Sequence, residues 1–482
     1  MSVTWIDLVL PYSVLVPHHA SAARDGTWPW ASHLSRRARR DTCIALVIAA
    51  VGAVVAFARL PGLARGTVWA EDGSVFLAEF AADGWTTMFR SYSGYLHLGP
   101  RVITGVAASV APLDLFAVTM TVLTSVIAGL CGAITFLATR GVVMHMVPRI
   151  VVATVPIAAP LLPIEVLGNA TNLHWLGLWV TPWIIIYRPR RWPVSVVMAL
   201  VVLVAALSEV QVLIFLPLIV LTWRRGKSAP VNAALAVGVV AQVMTTLAYP
   251  RVNQPSDVHL TVMDLVDSTL AQTVLGAYTG DNQAVAEALA GHGLVLGWLG
   301  LVPFVSAGAV AAWVAARRLP PGASRRRWLA ALAVCVIAAG SLLAVAAVMN
   351  PGPRYAMSTM DSPELRDFLF SRYAVVPSMF LLAIPALAAD ALLTRRKGRH
   401  SNSPGRSGAS AARVVAAVLV ALVILVEAAA LRPPWTRRSD GPGWSSAVTA
   451  ARQSCTTGGQ DEASIPLAPK GWAVTIPCPD LR

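Results

Sequence analysis

Apolar runs of about 16 to 25 residues, each bounded by a short polar loop, recur along nearly the whole chain, the pattern of helices long enough to cross a bilayer. It predicts an all-α polytopic membrane protein of about eleven transmembrane helices, at roughly 42–59, 113–138, 148–163, 173–187, 193–207, 209–223, 230–249, 293–316, 328–349, 371–393 and 412–431. The stretch 192–223 has to hold two helices because both flanks are basic, yet each lies near the lower limit for spanning, about 17 residues. A re-entrant hairpin around Ser208-Glu209 is the competing arrangement. No internal repeat is visible, which disfavours a secondary-transporter architecture.

Charge sorts the loops into two sets. Arg36-Arg37-Ala38-Arg39-Arg40, Arg140 with Arg149, Arg188 to Arg191, Arg224 to Lys227, Arg317 to Arg327 and Arg395 to Arg399 alternate with loops containing Glu71, Asp72, Glu79, Glu165, Glu209, Asp264, Asp281, Asp361 and Asp367. The positive-inside rule makes the basic side cytoplasmic, with the N-terminus inside and the tail from about 432 outside. Three parts follow: a basic segment 1–41, a membrane domain 42–431 with long outer loops at 60–112, 250–292 and 350–370, and an extracytoplasmic tail 432–482. The basic cluster before the first span reads as a cytoplasmic anchor, with no small-residue cleavage site after that span.

The outer loops carry elements of their own. Val75, Phe76, Phe80 and Trp85 predict one face of an interfacial helix over 74–90, and the apolar segment 102–112 is too short to span. In 250–292, Val262, Leu265, Val266, Thr269 and Leu270 fall at helical spacing with Asp264 and Asp267 opposite, a second surface-lying amphipathic helix. The inner loop 395–411 reads as a solvated connector.

Of 482 residues, 56% are apolar and 13% charged, and the net charge is +14. The cations sit in short loops where they set topology and meet anionic lipid, and no basic-aromatic reading motif appears, so a nucleic-acid partner is excluded. Cys43, Cys131 and Cys335 lie in apolar spans and read as small buried hydrophobes. Cys455 and Cys478 lie in the tail, where an oxidising compartment permits a disulfide that pins the segment around Trp472 over the outer face.

Three clusters carry candidate chemistry. Glu71 and Asp72, in Trp69-Ala70-Glu71-Asp72-Gly73, form either a solvated turn or a functional pair: a general base for an acceptor hydroxyl, or ligands for a divalent cation (Mg or Mn). Tyr92, Tyr95, His97 and Arg101 follow in the same loop. Glu165 with Asn169, Asn172 and His174 offers planar hydrogen-bonding groups beside tryptophans, suited to a sugar as well as to ordinary loop polarity; Glu209, set in an apolar stretch, requires a partner or a function. Arg354-Tyr355 and Arg372-Tyr373 place guanidinium groups on the acidic side, against the topological preference, where they suit a lipid phosphate. Asp390 and Glu427 fall near span ends and are assigned to no site. No Walker loop, nucleotide fingerprint, paired CxxC or HExxH occurs, so ATP hydrolysis, nicotinamide chemistry and zinc proteolysis have no support.

These features resemble the GT-C superfamily of integral-membrane glycosyltransferases, in particular its bacterial and actinobacterial members. The resemblance covers about 40–430 and rests on the basic N-terminus, the acidic pair in the first long outer loop, many short helices, and the Arg-Tyr of Ser371-Arg372-Tyr373-Ala374-Val375-Val376-Pro377 before a late helix. It implies a polyprenyl-phosphate-sugar donor, transfer on the outer face of a bacterial plasma membrane to a glycan, lipid or protein acceptor, and Asp72 or Glu71 as base or cation ligand. Arg372 and Tyr373, with Arg101 and Arg354, would hold the donor phosphate; Tyr95, His97, Glu165, Asn169, Asn172, His174 and Glu209 would surround sugar and acceptor. Two departures stand out: the pair is Glu-Asp rather than Asp-x-Asp, and the tail of about fifty residues is too small for the carbohydrate-binding domain of the larger arabinosyltransferases. A flippase for a lipid-linked sugar and a non-catalytic membrane scaffold are the rival expectations.

Overall fold

The computed structural model describes residues 36–223, 226–251, 257–319, 321–394 and 406–481. The N-terminal segment up to residue 35 and the basic residues Arg224, Arg225 and Arg395 to Arg399 lie outside the described residues. The described residues are predominantly helical, and among them eight helices are long and apolar enough to cross a membrane: Arg36–Ala58, Leu113–Gly141, Met146–Glu165, Gly226–Ala248, Val295–Arg318, Ala323–Met349, Arg372–Leu393 and Ser410–Ala429. Three more expected spans are shorter: His174–Ile186 has 13 residues, Trp192–Ala206 has 15, and the 3-10 segment Val210–Leu221 has 12. At 1.5 Å per residue a 13-residue helix covers only about 20 Å of a hydrocarbon core about 30 Å thick.

One of the short helices is enclosed by protein on all sides, while Trp192–Ala206 and Val210–Leu221 keep exposed apolar faces. Every residue of His174–Ile186 except Gly177 is buried, as is every residue from Val375 to Ala391, and the two helices meet at Trp179 and Phe380, ring centroids 4.9 Å apart. Around this core the outer helices turn large apolar side chains outward: Leu46, Val54, Val305 and Leu425 are all more than half exposed, as a lipid-facing surface requires. Cys131 and Cys335 are buried as expected, whereas Cys43 lies on the exposed side of its helix.

Contacts knit the basic loops together at one end of the bundle. There Asp41 binds Arg149 at 3.1 Å and Arg140 at 3.4 Å, His145 binds Asp390 at 2.8 Å, and Arg318 donates to the Leu392 carbonyl at 2.8 Å. Several of the acidic loops also meet, with Glu71, Glu165 and Arg354 bordering one cavity.

Two outer-loop elements depart from expectation. Segment 74–90 is not one interfacial helix: an α-helix Ala78–Asp83 stops at Gly84 and a 3-10 helix Gly84–Phe89 follows, while Phe76 is buried. The helix Val262–Ser268, with a Thr261–Asp264 capping box, continues through a wide turn Thr269–Val274, but Asp264 is buried and accepts from the Ser358 amide and hydroxyl instead of facing water. The segment 102–112 belongs to a helix, Leu98–Val110, packed on the following span.

After the last span, Arg438 fastens the tail to the bundle, donating to the carbonyls of Leu167 and Gly168, both at 2.7 Å. Gly168 has φ +82°, and a side chain there would run into that guanidinium. The tail folds as a helix, Trp444–Thr457, and an antiparallel hairpin of β-strands Glu462–Leu467 and Trp472–Pro477, clipped by the expected Cys455–Cys478 disulfide.

Candidate functional site

The acidic loop is held by the tail. The Ala468 amide donates to the Val68 carbonyl at 3.0 Å, and the Ala70 amide donates to the Ala468 carbonyl at 2.7 Å, a parallel bridge on either side of Trp69. A Cβ at Gly73 would sit 2.6 Å from a Leu467 methyl, so a larger residue there would require that leucine to shift. From here the backbone is helical, with the Gly73 amide bonded to the Trp69 carbonyl at 3.0 Å. Consecutive helical residues point about 100° apart, so the two acids separate.

Asp72 turns into the protein. Its Oδ2 accepts from the Ala170 amide at 2.9 Å, and its Oδ1 from the Thr171 amide at 2.8 Å and the Thr171 hydroxyl at 2.5 Å. Burial pushes its carboxyl up to about 6, partly offset by those three hydrogen bonds and reinforced by Glu71. Asp72 therefore anchors loop 169–172 and does not line the cavity. The ordinary carboxyl value is about 3.9, so the native state holds a proton across roughly pH 4 to 6 that the unfolded chain has lost. This contribution to stability is present below about pH 4 and disappears as pH rises through about 6. The melting-temperature difference between wild type and Asp72→Asn in nanodiscs is expected to favour wild type most at the acid end; a difference flat with pH would contradict it.

Glu71 turns the other way, into a cavity of about 990 Å³ bordered by Trp69, Glu165, Arg251, Arg354, Arg372, Tyr373, Arg437 and Trp472. Its Oε1 lies 3.7 Å from Arg372 Nη1, and its shielded Oε2 has no hydrogen-bond partner. Arg372 is set by its neighbour Ser371, whose amide donates to Gln272 at 2.8 Å and whose hydroxyl meets the Tyr355 hydroxyl at 2.9 Å. The guanidinium lies over the Tyr373 ring at 5.4 Å, and Tyr373 meets Trp175 edge-on. Arg354 borders the cavity too, as expected, while Arg251 and Arg437 escaped the sequence reading. The signal that singled out Arg372, a cation at the acidic end, applies to both.

Glu165 faces the cavity but is ion-paired to Arg437. Asn169 and Asn172, expected to meet a sugar, are fully buried: both donate to the Glu165 carbonyl, and the Asn172 amide donates to Asn169 at 2.9 Å. They shape their own loop. Arg101, expected to hold phosphate, binds Glu79 at 2.6 Å over the Phe76 ring and stays outside the cavity. Glu209 has the partner a deep acid demands, His174 at 3.1 Å. His97 and Tyr95 stack at 4.0 Å beside this pair, and burial drives His97 down to about 3, leaving it neutral. These four residues, three of them buried and Tyr95 partly so, do not line the cavity but lie close enough to Arg372 to feel its charge. Because Glu71 and Asp72 face different ways, they do not make a joint cation site; a cation would find Glu71 alone from the pair. Among the described residues, no three His, Cys, Asp or Glu side chains converge as metal ligands.

A second cavity, of about 550 Å³ and almost wholly apolar, lies between the segment 262–274 and the helices Val295–Arg318, Ala323–Met349 and Val375–Leu393. One segment serves both cavities: Leu265, Val266 and Leu270 line the apolar one, while Ser268 donates to the Tyr355 carbonyl and Gln272 accepts from Ser371 beside Arg372. No family model, curated protein or solved structure matches the chain.

Proposed function

We propose that the chain is an integral-membrane glycosyltransferase that moves a sugar from a polyprenyl-phosphate donor to an acceptor hydroxyl on the acidic, outer side of the membrane. The observation that carries this reading is the loose Glu71–Arg372 pair in a polar cavity, joined through the segment 262–274 to a second, apolar one. An isoprenoid chain fits the apolar cavity, and its phosphate comes to Arg372, with Arg354 and Arg251 adding positive charge. At 3.7 Å the Glu71–Arg372 contact is weak enough for a phosphate to displace. Donor binding then releases Glu71 as a base. Its carboxylate takes the acceptor hydroxyl proton, the oxygen bonds to the anomeric carbon from the face opposite the phosphate, and the sugar–phosphate bond breaks. The phosphate leaves with the electron pair, its charge held by the guanidinium groups, and the anomeric centre inverts.

The buried core of Trp179, Trp183 and Phe380 favours this reading over a flippase, which needs a polar path through the bundle. The test is transfer by purified protein in nanodiscs, using polyprenyl-phosphate mannose, arabinose, galactose and glucose with short alkyl glycoside and peptide acceptors. One donor is expected to yield an extended acceptor and free polyprenyl phosphate. No product from any pair, together with donor crossing the bilayer of sealed proteoliposomes, would replace the enzyme by a flippase.

A further inference from the structure

Resting on that reading, we infer that the tail hairpin is the acceptor wall, that Trp472 stacks on the acceptor, and that the acceptor is a glycan. The tail is more than a clip. Its turn, Ala468 to Trp472, sends Pro469 and Trp472 into the lining of the cavity that holds Glu71. Trp472 is 40% exposed although it belongs to a hairpin that buries Ile465, Leu467 and Val474 against the rest of the protein. Other indoles are as open, Trp298 and Trp435 among them, but among the described residues Trp472 is the exposed one that borders the Glu71 cavity.

Trp69 borders the same cavity, and its indole N–H is buried with no hydrogen-bond partner. An aromatic face, an unpaired donor and the Glu71 and Glu165 carboxylates are together what a sugar ring demands: a flat apolar surface for its C–H face and polar groups for its hydroxyls. A peptide would need a free strand edge. Here the backbone at Ala468 is already bonded on both sides, to Val68 and Ala70. A lipid acceptor would seek the separate apolar cavity, not this polar one.

Binding tests the wall without chemistry. Saturation-transfer NMR on the full chain in nanodiscs, with the methyl glycosides of mannose, arabinose, galactose and glucose, is expected to detect at least one. Trp472→Ala should weaken that glycoside about tenfold and Trp472→Tyr should restore most of it, as a stacking contact predicts. Mapping the Cys455–Cys478 bridge in each variant shows that the tail remains folded. No signal from any glycoside with wild type, or undiminished binding in Trp472→Ala with the bridge intact, overturns the inference. Glycoside binding that depends on Trp472, without transfer from any donor, keeps the wall and sinks the transferase reading.

Discussion

Glu71→Gln is expected to reduce sugar transfer by about 10²- to 10⁴-fold, the range that a positioned general base contributes. The substitution keeps the shape of the side chain and removes only its ability to take a proton. The Ala468 bridge and the Asp72 anchor lie on other atoms and should persist, so melting temperature should stay close to wild type. Donor affinity should be equal or slightly higher, because Arg372 no longer has a carboxylate 3.7 Å away competing with the phosphate. The decisive pair of measurements is single-turnover transfer and donor binding on the same preparation. Transfer surviving at more than a tenth of the wild-type rate would remove Glu71 from the role of base.

Arg372→Ala should fail differently. It removes the guanidinium from the floor of the cavity, so both donor binding and stabilisation of the departing phosphate suffer; losing one such donor costs about 10²- to 10³-fold in rate. Arg372→Lys keeps the charge but not the planar fork, and should recover donor binding more than turnover. Arg101→Ala serves as the comparison, because its guanidinium is committed to Glu79 away from the cavity. It should leave donor affinity unchanged. Equal losses in Arg372→Ala and Arg101→Ala would point to general disturbance of the outer loops rather than a phosphate site.

The sequence reading succeeded where a residue's chemistry is independent of its distant partners. Long apolar runs declare candidate spans whatever packs on them, and Arg354 and Arg372, singled out by their place among the acidic loops, do border one cavity. It failed where partners decide. An apolar run of thirteen residues looks the same whether lipid or protein surrounds it, so His174–Ile186 read as a span while it forms the core. Adjacent acids read as a pair until helical backbone turns one toward Thr171 and the other toward Arg372. Asn169 and Asn172 have the composition of a sugar site, but both are buried and their side-chain N–H groups are spent on the Glu165 carbonyl. The disulfide was legible from two cysteines in one polar segment. The bridge that carries that segment to Trp69 was not, because nothing local records a contact between residues almost four hundred positions apart.

That bridge also fixes when the protein becomes competent. Val68 and Ala70 leave the ribosome long before Ala468 does, and every described candidate span after Arg36–Ala58 is made in the interval. A half-synthesised chain thus exposes its acidic loop unbraced and without one side of its cavity. Only after the segment around Ala468 has been made and its hairpin folded can the early loop be seated, so biogenesis itself withholds a braced site from shorter chains.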